Sequence, residues 1–235
     1  MDNRDVVCAS GALIAGWNAF KKAPGVAVGG FLLFYLIMVL GLGIPFLGPV
    51  LLGFPVIGGL TVLCLNIVRG KDHHISDLFA GFKCYGMWLV VGLLYMLMIA
   101  VVTLLIMTLL WMVVLLSHAS SIINYATGSA QALPALRYGQ AIPLGGSFIS
   151  ILLLWILTLR WLFVCHLVSD GVEPLEAFRR SSELTKGRRF KLFYISLVLV
   201  LFSITGLLFI GLGMLITVAV SYLALTSIYV DLASS

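Results

Sequence analysis

The polar residues of this chain are gathered into a few short islands, and long apolar stretches run between them. No charged residue occurs from Val26 to Val68. That is too long for one membrane-spanning helix, which needs about 20 residues, and right for two. The break falls at Gly41-Leu42-Gly43-Ile44-Pro45-Phe46-Leu47-Gly48-Pro49, where Gly and Pro punctuate the run. A third span covers about 87–117. Fully helical it would measure roughly 46 Å at 1.5 Å per residue, so it must tilt or protrude. A fourth covers about 142–168. Leu192 to Val230 is again charge-free and again double, with Gly211-Leu212-Gly213 as the expected turn. The pattern therefore predicts an all-α membrane protein of six transmembrane helices, at about 25–42, 50–68, 87–117, 142–168, 190–210 and 212–230.

Composition agrees with this pattern. The 235 residues are 62% hydrophobic and 10% charged, against about 25% charged in ordinary soluble domains. The start, Met1-Asp2-Asn3-Arg4-Asp5, lacks a positive n-region, so the first helix is expected to stay uncleaved. Of 14 Lys and Arg, twelve lie before span one, between spans two and three, or between spans four and five. Arg137, in a polar loop from His118 to Gln140, stands alone on the opposite side, and Arg160 lies within a span. The positive-inside rule then places both termini in the cytoplasm. It also accounts for the net charge of +5 without nucleic acid.

A repeat runs through the three basic islands. Trp17-Asn18-Ala19-Phe20-Lys21-Lys22, Leu78-Phe79-Ala80-Gly81-Phe82-Lys83 and Leu175-Glu176-Ala177-Phe178-Arg179-Arg180 precede spans one, three and five. Each is a short amphipathic stretch ending in Phe and a cation. The unit reads as a cytoplasmic elbow helix followed by two spans, three times over, and parallel repeats are one way to build a membrane bundle. The alternative is that any helix entering a membrane carries Phe and Lys at the interface. In the third elbow, Asp170 and Glu173 resemble a capping box, and Pro174 and Glu176 fall in the first turn. Glu176 with Arg180, and Arg179 with Glu183, stand four apart and can pair; Gly187 supplies a stop.

Candidate chemistry is sparse. Arg160 lies about ten residues from the cytoplasmic end of span four. So deep a charge either receives an anion or clamps neighbouring carbonyls and hydroxyls such as those of Thr103, Thr108 or Thr158. His166 and Asp170, four apart at the end of that span, are expected to form an interfacial pair. Lys186, Arg188, Arg189 and Lys191 form a cationic cluster that anionic head groups would attract, and it also fixes topology. Asp72-His73-His74 with Asp77 reads as a solvated loop rather than a metal site, and Gly25 with Gly29 as a weak helix-contact motif. The four cysteines (Cys8, Cys64, Cys84, Cys165) lack metal or disulfide spacing, and no catalytic or cofactor motif is found.

Arg160 through Asp170, Pro174 through Ser181, Leu184-Thr185-Lys186-Gly187 and the closing Tyr229-Val230-Asp231-Leu232 resemble the six-span membrane domain fused to some bacterial glycerophosphodiester phosphodiesterases. Gly16-Trp17, Pro45, Arg69-Gly70 and Leu78-Phe79 look like related uncharacterised inner-membrane proteins. No phosphodiesterase domain accompanies them here. The resemblance implies a membrane domain tied to lipid or envelope biology, in which Arg160 recurs. The expectation is a non-enzymatic inner-membrane protein, without cofactor, whose partners are anionic membrane lipids. A small transporter or channel, a homo-oligomer and a subunit of a larger membrane complex stand as alternatives.

Overall fold

The computed structural model describes residues 9–43, 48–126, 154–156, 158–206 and 212–234, and among them all regular structure is helical. The chain divides into two units, Met1–Leu93 with Leu159–Ser235, and Leu94–Thr158. Among the described residues, four helices are long and apolar enough to cross a membrane: Pro24–Gly41, Leu51–Arg69, Tyr85–Met112 and Gly213–Ser234.

In the first unit α1 is Ala9–Lys22 and α2 is Pro24–Gly41. Pro24 sits in the first turn of α2, where its missing N–H costs nothing. A π-helical turn at Pro49–Gly53 leads into α3, Phe54–Arg69. Gly70 ends α3 at φ +67, a left-handed conformation that glycine adopts without strain. A 3-10 turn, Ile75–Phe79, and the single turn α4, Ala80–Lys83, precede α5, which starts at Tyr85. On the C-terminal side a 3-10 turn at Leu159–Trp161 is followed by α6 (Val164–Ser169), α7 (Pro174–Leu184), α8 (Arg189–Thr205) and α9 (Leu212–Ser234). Among the residues describing the second unit, α5 continues to Ala126. Of the apolar window of α5, Tyr85–Met112, 11% is buried.

The core joins α1, α2, α3 and α9 through Phe20, Phe31, Leu60, Leu63, Ile67 and Leu223. Between apolar helices in lipid, small residues set how closely backbones approach. A Cβ on Gly16 would lie 2.6 Å from the Val220 carbonyl of α9, and one on Gly59 of α3 would collide with the backbone of Leu78. The 3-10 turn before α5 therefore lies flat on α3. Gly25 meets nothing within 4 Å, so the Gly25–Gly29 motif is not a helix crossing, although Gly29 does sit against Ile75.

Several boundaries differ from the sequence reading. The helix that carries the third expected span does not stop at 117: no Gly or Pro interrupts 93–127, and it runs on to Ala126 through the start of the expected polar loop. In the region expected to form a fourth span, the described residues include a 3-10 turn at Leu159–Trp161 ahead of α6. Glu173, not Asp170, is the N-cap of α7, and no side chain caps it; the expected capping box is absent. The expectations for Arg4, Cys8, Pro45, Arg137 and the first part of span four fall outside the described residues, as does the turn at Gly211.

Candidate functional site

Two regions gather the chain's polar side chains, and they differ in whether those side chains satisfy one another. The first is a seam at the C-terminal ends of α3, α6 and α9. Arg69 closes α3 and Asp170 follows α6 as its C-cap. The guanidinium donates to both carboxylate oxygens, NH1 to Oδ1 at 2.6 Å and NH2 to Oδ2 at 2.7 Å. This bidentate, charge-assisted geometry is the strongest an Arg–carboxylate pair adopts. The Tyr229 hydroxyl of α9 donates to Asp170 Oδ2 at 2.7 Å, so one carboxylate ties three helices. The Arg69 and Asp170 side chains are 28% and 24% exposed, while Tyr229 is buried. Burial favours the neutral form of Asp170 most strongly of any single influence. Hydrogen bonds from Arg69 and Tyr229, with the Arg69 charge, together outweigh it and hold the carboxyl below the usual aspartate range.

One turn deeper, His166 is 1% exposed. Its ring stacks against Tyr222 at 5.8 Å between centroids and tilts against Tyr229 at 5.0 Å. His166 Nε2 lies 3.1 Å from Thr226 Oγ1. The Thr226 hydroxyl donates its proton to the Tyr222 carbonyl at 2.9 Å, so towards the imidazole it can only accept. Nε2 therefore carries the hydrogen, and Nδ1 presents a bare lone pair. That Nδ1 is buried and has no hydrogen-bond partner among the described residues. Deeper still, Tyr222 and Thr61 of α3 share a hydrogen bond at 2.8 Å.

His166 and Asp170 thus do not form the side-chain pair their spacing suggested. Helical geometry ends at Ser169, and Asp170 turns to Arg69 and Tyr229 while His166 turns to Thr226. Arg160, expected as a buried anion site or structural clamp, opens the C-terminal part of the first unit. Its side chain is exposed and has no polar partner among the described residues. Its backbone is what matters: the 3-10 turn frees the Arg160 carbonyl, and the buried Ser181 hydroxyl of α7 donates to it at 2.9 Å. The same hydroxyl accepts the Phe163 N–H at 3.3 Å. A single hydroxyl from α7 thus bridges the backbone between the 3-10 turn and α6, a role the sequence does not signal.

The second region is the turn from α7 into α8. Along α7, Arg180 donates to Glu176 at 2.9 Å, and Arg179 lies 3.9 Å from both Glu176 and Glu183. The four-apart pairs read from the sequence are therefore present. On either side of Gly187, at φ +81, Lys186, Arg188 and Lys191 are exposed and have no ion pair among the described residues. Arg189 is half-buried, with its Nε enclosed and unpartnered. Amid these cations Phe190 is 92% exposed. In the Asp72–Asp77 loop, Asp77 accepts from the His74 N–H and from Asn66. Among the described residues no three His, Cys, Asp or Glu side chains group as metal ligands. No family model matches the chain, and neither a curated protein nor a solved structure matches it.

Proposed function

We propose that the chain is a non-enzymatic, six-span protein of the bacterial inner membrane, with both termini cytoplasmic, that binds anionic lipid head groups at the α7–α8 turn. The observation carrying this reading is Phe190, nearly fully exposed and flanked by Arg188, Arg189 and Lys191. An aromatic ring standing out of a cationic turn, just where an apolar helix starts, suits the boundary between head groups and acyl chains. The carboxylates nearby are engaged by Arg179 and Arg180, so the charge of the turn is left for an outside anion. The threefold elbow–span–span organisation is supported by α1, the Ile75–Lys83 segment and α7, each of which precedes a long apolar helix. The kinship proposed is with the membrane domain of the phosphodiesterases named above.

The test is native mass spectrometry of the protein extracted with its lipids, beside a Lys186→Gln, Arg188→Gln, Lys191→Gln triple variant. Each cation near an anionic surface is worth about 1 kcal/mol. Three removed should weaken retention of anionic lipid about 100-fold, with neutral lipid unaffected. Equal retention of anionic lipid by a folded variant refutes the assignment.

A further inference from the structure

We infer that His166 is a proton-binding site that governs a latch formed by Arg69, Asp170 and Tyr229. The latch is polar, partly open to water and closed by one carboxylate. Immediately beneath it sits a base with a vacant lone pair, out of reach of water while the seam is shut. An imidazolium formed there would need an anion, because a buried unpaired charge is very costly. Asp170 is the carboxylate that acts on His166, and Arg69 is the cation that opposes it. Around the ring, α9 contributes the phenols of Tyr222 and Tyr229; other titratable groups on the elements packed there include Arg69 and Cys64 of α3, Cys165 of α6 and Arg180 of α7.

The shut seam holds Asp170 on Arg69 and has no anion to spare for a proton on His166. When the seam opens, water reaches Nδ1, a proton adds there, and the resulting Nδ1–H can donate to Asp170, four residues on. Arg69 is then released to solvent with its charge hydrated. One proton enters, and the Arg69–carboxylate pair is exchanged for an imidazolium–carboxylate pair. Since only the open form takes the proton, acidification favours opening. Below the ordinary histidine value of about 6.5, each pH unit should raise the open-to-shut ratio roughly tenfold. Above that value the proton has no influence, and the latch stays shut.

The experiment uses the full chain in lipid nanodiscs with genetically encoded spin labels at Lys71 and Glu173, both exposed and beyond the ends of α3 and α6. Their distance distribution is recorded from pH 8 to pH 5. A longer-distance population should grow below about pH 6.5 in the wild type and stay constant in His166→Gln, which still donates to Thr226 but does not titrate. Asp170→Asn should show the longer population at every pH, which proves that the labels sense the latch. An unchanging wild-type distribution, or an identical pH response in His166→Gln, overturns the inference. Should His166→Gln fail to fold, histidine-selective ¹⁵N NMR of the wild type decides. A buried imidazole must gain its second proton with the same midpoint as the distance change, and a mismatch of midpoints overturns the inference equally.

Discussion

Removing Asp170 tests whether the three-helix clasp holds the bundle together or only decorates its end. Asp170→Ala deletes both hydrogen bonds from Arg69 and the one from Tyr229. Hydrogen bonds to charged groups contribute about 1.5–3 kcal/mol each, and stranding one partner of a buried pair costs about 3–5 kcal/mol. Side chains 28% and 24% exposed recover part of this from water, which brings Asp170→Ala to about 3 kcal/mol and Arg69→Ala to about 2–3 kcal/mol. Both variants lose the same pair, so the double variant should cost about 3–4 kcal/mol, leaving a coupling near 2 kcal/mol. The assay is equilibrium unfolding in mixed micelles over a denaturing detergent titration, read by helical circular dichroism. It also has a pH signature. A carboxyl held below its ordinary value contributes stability that is complete above about pH 3.9 and is lost as pH falls through the lowered value. That acid-side slope should vanish in Asp170→Asn. A coupling under about 0.5 kcal/mol, the size of an exposed surface pair, would show that the clasp does not hold the helices.

Two further changes probe the packing around it. Ser181→Ala leaves the Arg160 carbonyl and the Phe163 N–H without their shared partner and should cost about 1–3 kcal/mol in the same unfolding assay; no loss would mean that water replaces the hydroxyl. Gly59→Val drives a side chain into the Leu78 backbone and should cost about 3 kcal/mol or more, while Gly25→Ala, facing open space, should be neutral or slightly stabilising in parallel titrations.

What could be read from the chain beforehand was local, and what could not was mostly distant. The first two spans start and stop where expected because Pro24 and Gly70 act on the backbone of their own helices. The ion pairs of α7 were visible because residues four apart meet on any helix. The overrun of α5 to Ala126 shows the opposite case. The polar run beginning at His118 looked like a loop, yet helices end at backbone breakers, not at a change in hydropathy. The 3-10 turn at Leu159–Trp161 has no Gly or Pro to announce it, so hydropathy alone reads that stretch as continuous helix. The Arg69–Asp170 pair joins residues 101 apart, so nothing short of the fold could bring it to light. His166 shows how spacing misleads: it names the neighbours a side chain can reach, and the caps and hydroxyls around it decide which one it takes.

The seam and the basic turn are joined by one short stretch of chain. Asp170 lies four residues before α7, and Lys186 two residues after it. Ser181 fastens the middle of α7 to the 3-10 turn that precedes α6, and α6 itself packs on α7. Leu159–Leu184 is therefore tied to itself at its middle, and on the proposed opening the part that separates from α3 would include the helix that leads to the cationic turn. A head group bound at Lys186, Arg188 and Lys191 and a proton bound at His166 act on that same part from its two ends. Binding at one end changes affinity at the other only in so far as the open and shut positions differ in how well they hold each ligand. The proton discriminates strongly, since its site is closed to water in one position and open in the other. The lipid cations are exposed and unpaired in the shut position already, so the head group should hold that part at the membrane surface whichever way the latch stands. Coupling between the two is then weak by construction, and lipid binding persists across the pH range in which the latch opens.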